Sequence, residues 1–384
     1  MKNKIISFSK PSISTDEFLE IKKALQSKWL TTGPQTIRFE KMLKRLFKAK
    51  FLTTVSNATS GLDLALRLIN RKKGSEILTT SLTWPSAVNM IENNGYKPIF
   101  VDVCENTFNL DLLDLKKKIS KKTVAILAIH FGGQAYDFHK IKKEIIGRNI
   151  TIIDDCSHAL GTYYKGKHVG NNADFSIFSF HPNKNITTAE GGAIIFKRKN
   201  DYLKGLKLKY HGLSKNTYEK TKTKKKKYKH DEVNFPGNKF ILSDVQSSIG
   251  IAQLKKVKHF LFKRKLLAKR YISHLSKIKY ITNLKIEKSF KNRHSWHLFV
   301  IKFDIVNLKK NFMEIQKVFE NNNIKVGIHY YPLHLHKYYK NKYKIKKSFL
   351  PTTNKLTDTF LSLPLYPDLS FNDQSKIIRV LKKI

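Results

Sequence analysis

The sequence predicts an α/β protein: a mixed, largely parallel central sheet covered by helices, with a smaller C-terminal α+β portion. Three observations predict it. Short β-branched runs alternate with amphipathic helical stretches between about residues 50 and 200, the pattern of strands joined by covering helices. The chain has 384 residues, 41% of them hydrophobic, enough to fill a large core. Beyond residue 200 the alternation stops and a long helical pattern takes over.

The strand-like runs are ILTTS (77–81), KPIFVDV (97–103), VAILAIH (124–130), ITIIDDC (150–156) and FSIFSF (175–180). Between them, GLDLALRLIN places Leu62, Leu66 and Ile69 on one helical face, and PSAVNMIENNG closes a helix at Gly95. A sheet of this kind binds ligands at the carboxyl ends of its strands. YEKTKTKKKKYKHDEV (218–233) is polar, lysine-packed and without period, and reads as a solvated loop or a basic arm. A helical stretch from about 245, VQSSIGIAQLKKVKHFLFKRKLLAKRYISHL, then leads to strands HLFVIKF and VGIHYY. The expected division is therefore 1–247 for the large α/β domain and 248–384 for the smaller one.

The chain carries 74 lysines and arginines against 29 acidic residues, a formal charge of +45. Such a balance invites a nucleic-acid or anionic-membrane partner. The lysines are spread over almost every segment rather than gathered in a stripe, however, so no nucleic acid is expected as partner. Two cysteines, Cys104 and Cys156, exclude a disulfide framework and a four-thiolate zinc site, and no metal is expected. The longest apolar run, TVAILAIHFGG (123–133), is far short of the ~20 residues that span a bilayer. A cytoplasmic protein without membrane insertion is the expectation.

Lys184 lies in a polar loop between the strand FSIFSF and a glycine pair. Strand alternation puts Phe178 and Phe180 on one face and Ile177, Ser179 and His181 on the other. Asp154 and Asp155 end the preceding strand, followed by His158; alternation separates the two acids, so one of them turns to the ligand edge. VSNATSGLDLALRL (55–68) runs from a short strand through hydroxyl residues into a helix. There the backbone N–H groups of Thr59 and Ser60 and the Thr59 hydroxyl can cradle a phosphate, although an ordinary helix cap uses the same residues. Trp84 follows another strand and can cover a planar ligand or pack in the core. An amine, a carboxylate, a phosphate cup and an aromatic cover together meet the requirements of a pyridoxal phosphate site.

Beyond these groups, long ordered segments carry a resemblance: FSKPSISTDEFLEIKKAL with KWLTTGP, NATSGLDLAL, TWPSAVNMIENNGYKPIFVDV, HFGGQAYD, IIDDCSHALGTYYKGKHVG, ADFSIFSFHPNKNITTAEGGAII, PGNKFILSDVQSSIGIAQL, HSWHLFVI, GIHYYPLH and LSLPLYP. The chain resembles the DegT family of pyridoxal-phosphate-dependent nucleotide-sugar aminotransferases, which have the aspartate aminotransferase fold (fold type I). The resemblance implies that Lys184 bonds the cofactor aldehyde and that Asp155 pairs with the pyridinium nitrogen. It implies further that His158 meets the phenolic oxygen, that Thr59, Ser60 and Ser179 hold the phosphate, and that Trp84 stacks on the ring. Thr32, Gly33 and Pro34, with His329 and Tyr330, match segments bordering the sugar. A homodimer is implied, in which a residue equivalent to Asn238 or Lys239 reaches the neighbouring cofactor; Ile241 departs from the polar residue some relatives carry there.

The implied reaction has two halves: glutamate gives its amino group to the cofactor, and a nucleotide-linked keto-sugar then takes it. The motifs look most like enzymes that aminate C4 of a UDP-4-keto-hexose in lipid A modification or in bacillosamine- or pseudaminic-type pathways. C3 amination of a dTDP-3-keto-sugar is the alternative. Sugar dehydratases of the same family carry a histidine in place of the lysine, so Lys184 argues for transamination. A basic nucleic-acid-binding protein on the same fold is the distant alternative.

Overall fold

The computed structural model describes residues 4–214, 218, 221, 232–286 and 292–384; most of the lysine-packed segment 218–233 lies outside them. Helices α1 (Thr15–Gln26) and α2 (Pro34–Phe47) precede strand β1 (Phe51–Val55) and helix α3 (Ala58–Ile69). There follow β2 (Glu76–Thr80), α4 (Pro85–Asn93), β3 (Lys97–Val101), α5 (Leu112–Lys118), β4 (Thr123–Ile129), α6 (Phe138–Glu144) and β5 (Thr151–Asp155). The two-residue strands β6 (Tyr163–Tyr164) and β7 (Lys167–His168) pair with each other, and β8 (Phe175–Ser179), β9 (Gly192–Phe196) and α7 (Lys199–Leu208) complete this part.

Seven strands form one sheet in the order β1-β9-β8-β5-β4-β2-β3. β9 runs antiparallel to both neighbours, and the remaining pairings are parallel. The five strands expected from β-branched runs are all present. β9 escapes that reading because it is short and starts on Gly192, just after Gly191. Its pairing with β8 makes the stretch containing Lys184 a hairpin connection, pinned where Phe180 N–H donates to Gly191 O at 2.9 Å and Thr188 N–H to Phe180 O at 3.0 Å. A Cβ at Gly192 would come within 2.7 Å of Phe178 O and 2.9 Å of Ala58 N. Glycine there lets the start of α3 settle against the hairpin.

Alternation along β8 sorts its side chains as expected. Phe178 packs with Phe39, Phe47 and Phe180 on one side of the sheet, and Ile177 packs with Val55 and Leu62 on the other. The long helix Asp244–Leu275 starts on a capping box in which Ser243 and Gln246 satisfy each other's backbone N–H groups. Its first half packs through Ile251, Leu254, Val257 and Phe260 against the core of the large sheet. Its second half contributes Leu267, Ala268, Tyr271 and Leu275 to a separate core. That core covers the antiparallel sheet β10 (Ile281–Asn283), β11 (Phe299–Phe303) and β12 (Phe360–Leu363).

The expected strand in VGIHYY is not formed. Gly327 makes a single bridge with Ser362, after which the chain leaves the small sheet and carries His329 and Tyr330 toward the large one. Ser81, just past β2, receives it: the Leu333 N–H donates to Ser81 O at 2.9 Å, and Ser81 Oγ lies 2.7 Å from His334 Nδ1. No helix among the described residues is long and apolar enough to cross a membrane.

Candidate active site

A cavity of about 320 Å³ opens at the carboxyl ends of the parallel strands, where the fold class places ligands. Thr59, Trp84, Asp155, His158, Ser179, Lys184, His329 and Tyr330 all line it. These residues come from five separate stretches of the chain, and the sheet brings them together.

Asp155 and Asp154 are the last two residues of β5, and alternation sends them to opposite faces. Asp155 faces the cavity: one carboxylate oxygen accepts the Ser157 N–H at 2.9 Å, and the other takes no hydrogen bond among the described residues. Asp154 is 1% exposed on the far side. It accepts the Tyr136 hydroxyl and lies 3.5 Å from His130 Nε2.

Lys184 projects from the β8–β9 connection into the cavity. Among the described residues no hydrogen bond or ion pair engages its Nζ. Burial pulls its ammonium down to about 8, a change the Asp155 carboxylate only partly opposes. Near neutrality a minor fraction of the side chain, far larger than for an ordinary lysine, is thus a free amine, which a nucleophile or proton acceptor requires.

Helix α3 points its first turn at the same space. The Ser60 N–H is taken by the Asn57 side chain at 2.8 Å, and the Ser60 hydroxyl lies 2.9 Å from Ser56 Oγ. Ser60 is therefore a partner of the cap and does not line the cavity. The N–H groups of Ala58 and Thr59 have no intrahelical acceptor, and with the hydroxyls of Thr59 and Ser179 they leave a set of donors at the positive end of a helix dipole. Trp84, expected as a covering ring, is 62% exposed at the rim, its centroid 5.9 Å from that of Tyr330.

His158 is buried beneath. Its Nδ1 accepts the Gly132 N–H at 3.3 Å, and its Nε2 lies 2.9 Å from Tyr330 Oη. Burial, and then the charge of Lys184, hold its pKa well below the ordinary histidine value. His329 is pushed down to about 3 by the same two causes and lies 2.9 Å from Ser362 Oγ through Nδ1.

Four of the expected residues lie elsewhere within the single chain. Thr32 and Gly33 border a second cavity of about 130 Å³ with Thr53 and Lys209, and Pro34 opens α2. A Cβ on Gly33 would come within 2.2 Å of the Trp29 ring. Asn238 donates to Asp63 Oδ2 at 3.3 Å, which ties it to α3 of its own chain. Conversely, Asn57, Ser86, Asn183 and Glu190 line the Lys184 cavity without having been singled out. Asn183 and Glu190 flank Lys184 in sequence, and proximity to the lysine was the available signal; nothing in the sequence marked Ser86.

The cavity suits a planar, phosphate-bearing aldehyde. It combines an unpaired amine, a carboxylate with a free oxygen, spare donors at a helix start and an open aromatic face, all groups that nothing else among the described residues consumes. Similarity to known proteins agrees. The sequence profile of the DegT/DnrJ/EryC1/StrS aminotransferase family matches residues 11–382. The uncharacterized protein MJ1066 of Methanocaldococcus jannaschii is 32% identical over 375 residues, 98% of this chain and 96% of that one. Among solved structures, Helicobacter pylori PseC, an aminotransferase involved in the biosynthesis of pseudoaminic acid, superposes with a TM-score of 0.90 at 28% identity over 99% of both chains. Spr1654 of Streptococcus pneumoniae in its PMP form gives a TM-score of 0.90 at 28% identity over 98% of both. The chain belongs to the DegT/DnrJ/EryC1/StrS aminotransferase family, and it is a sugar aminotransferase that uses pyridoxal phosphate.

Proposed function

We propose that this enzyme moves the amino group of glutamate to C4 of a UDP-linked 4-keto-hexose, as a cytoplasmic homodimer that supplies an amino-sugar for surface glycans. The observation that carries the catalytic part of this reading is the unpaired Lys184 Nζ in a cavity it shares with the Asp155 carboxylate. The motifs of the sequence and the likeness to PseC support the choice of acceptor. Large apolar side chains left exposed on α1, α2 and the turn between them, among them Phe18, Leu19, Leu25, Leu30 and Ile37, support a partner subunit.

The roles follow from the donor set. The first turn of α3, with the hydroxyls of Thr59 and Ser179, would hold the phosphate of pyridoxal phosphate. Asp155 would accept the ring N–H and keep it protonated. Trp84 would cover one face of the ring, and His158 would meet it from below. Bound there, the cofactor supplies an aldehyde that captures amines and a ring that withdraws electrons. Lys184 would then act through its freed Nζ, which would take a proton from the amino-acid α-carbon as base and, as acid, return one to the former aldehyde carbon across the transferred nitrogen, so that the amino group stays behind. Its lowered pKa suits both duties. His329 and Tyr330 border the sugar. Thr32, Gly33, Pro34 and Asn238 would act on a sugar or cofactor only across a subunit boundary.

The test is spectroscopic. Cofactor-loaded protein is mixed with glutamate, and the visible band of the bound cofactor should fade. A panel of UDP- and dTDP-linked keto-sugars is then added. Return of the band with one UDP-4-keto-hexose supports the reading; return only with a dTDP-3-keto-sugar moves the acceptor to the alternative class; no response to glutamate removes the amino donor.

A further inference from the structure

A much smaller cavity, of about 10 Å³, also touches the connection that carries Lys184. It is bordered by Lys10, Lys184, Asn185, Gln253 and Arg264, where the N-terminal segment, the β8–β9 connection and the long helix meet. Three of these five side chains are cations, and no acidic side chain among the described residues lines it.

Arg264, in the second half of the long helix, is 2% exposed. Its Nη1 donates to the carbonyl oxygens of Trp296, His297 and Leu365 at 3.2, 3.3 and 2.7 Å. Its Nε is buried with no partner, and among the described residues no hydrogen bond engages Nη2 and no carboxylate pairs with the guanidinium. Burial alone lowers its pKa, to about 10. A charge held in the interior without a counter-charge is costly, and the unspent N–H groups of Arg264 border a cavity that other cations line. The neighbouring amide donors are already taken. Asn185 Nδ2 donates to Leu160 O and Ser295 O at 3.1 and 3.2 Å, and Gln253 Nε2 donates to Ser12 O and Glu17 Oε1, both at 2.7 Å. Asn185 Oδ1 is an unpartnered acceptor, which makes water the competing occupant. The space admits about one small body, which excludes sulfate, phosphate and carboxylates. We propose that this cavity binds a monatomic anion, chloride, on Arg264 Nε and Nη2, and that the ion ties the Lys184 connection to the long helix.

Two measurements test it. Crystals of cofactor-loaded protein grown without halide and soaked in sodium bromide should show an anomalous peak within hydrogen-bonding reach of Arg264 Nε or Nη2. Water alone at that position, with bromide visible elsewhere on the surface as proof of the soak, overturns the proposal. In solution, replacing potassium gluconate by potassium chloride at equal ionic strength should raise the melting temperature of the wild-type holoenzyme by roughly 2 °C relative to the same exchange in Arg264→Gln. An equal response in the two proteins, or a bromide peak without any difference in solution, reduces the site to binding at crystal concentration only and overturns the proposal. If Arg264→Gln does not fold, the bromide soak of the wild type decides by itself. Neither measurement involves the amino acceptor, so failure here leaves the aminotransferase reading standing.

Discussion

The Lys184 cavity and the junction around Asp244 are both polar, and both assemble residues remote in sequence, yet they treat hydrogen bonds in opposite ways. Asp244, fully buried at the start of the long helix, accepts the N–H groups of Gly33, Gln35 and Thr36 at 2.8, 3.0 and 2.9 Å and the Thr36 hydroxyl at 2.8 Å. It caps α2 with a negative charge at the helix N-terminus, and its capacity is used up. In the cavity, Lys184 Nζ, one oxygen of Asp155 and the Thr59 hydroxyl are left without protein partners among the described residues. Spent polar groups hold a fold together; unspent ones wait for a ligand. This also explains why the TTGP segment, read from its resemblance as a substrate border, is bound into the helix junction of its own chain.

Breaking each side of this contrast should give different losses. Lys184→Ala should abolish covalent attachment of the cofactor and lower turnover by roughly 10³-fold or more, read in the visible spectrum and in the glutamate half-reaction. Asp155→Ala should cut turnover by about 10²-fold or more while the melting temperature of cofactor-free protein changes little.

Asp244→Ala should act on stability instead. It strands three backbone N–H groups, two of them in buried bonds, and should cost about 3 kcal/mol in denaturant unfolding. Asp154→Ala, one residue from Asp155, should cost about 2 kcal/mol by depriving the buried Tyr136 hydroxyl of its acceptor, and the folded fraction should still load cofactor. If Asp154→Ala and Asp155→Ala behaved alike, the division between spent and unspent carboxylates would fail.

The smallest effect is a pH dependence. The rate of cofactor uptake by cofactor-free protein should be half-maximal near pH 8, the value to which Lys184 is lowered, and should fall at lower pH as the amine is protonated. In the unfolded chain the same lysine titrates near 10.5. Between these values the unfolded state binds more protons, so this group's penalty on stability, complete below pH 8, is relieved as pH rises toward 10.5. Uptake that keeps rising to pH 10 would show that the cavity does not lower the lysine's pKa.

Much of this is legible in the sequence. The five parallel strands follow from β-branched runs of five to seven residues, because a strand buried on both faces must be apolar throughout. Lys184, Asp155, Trp84, Thr59 and Ser179 were legible as chemistry at strand ends and helix starts. β9 is not, since a short strand that starts on a glycine just after another glycine lacks the signal of a strand, and VGIHYY does not pair as expected because a short apolar run looks alike whether it pairs or passes. The sequence does not show that the Ser60 N–H is engaged by the Asn57 side chain, because capping geometry depends on the rotation of Asn57.

By itself the sequence determined the alternation of elements, the kinds of reactive groups and, through long ordered motifs, the family. These are properties of local periodicity and residue type, carried by neighbours along the chain. Only the tertiary structure decided that Asp154 is spent on the Tyr136 hydroxyl, which hydroxyls remain unspent, and that a tyrosine some 170 positions away meets His158. Those outcomes depend on contacts between distant segments, where direction, burial and competition for hydrogen bonds are settled only when the sheet and its helices close on one another.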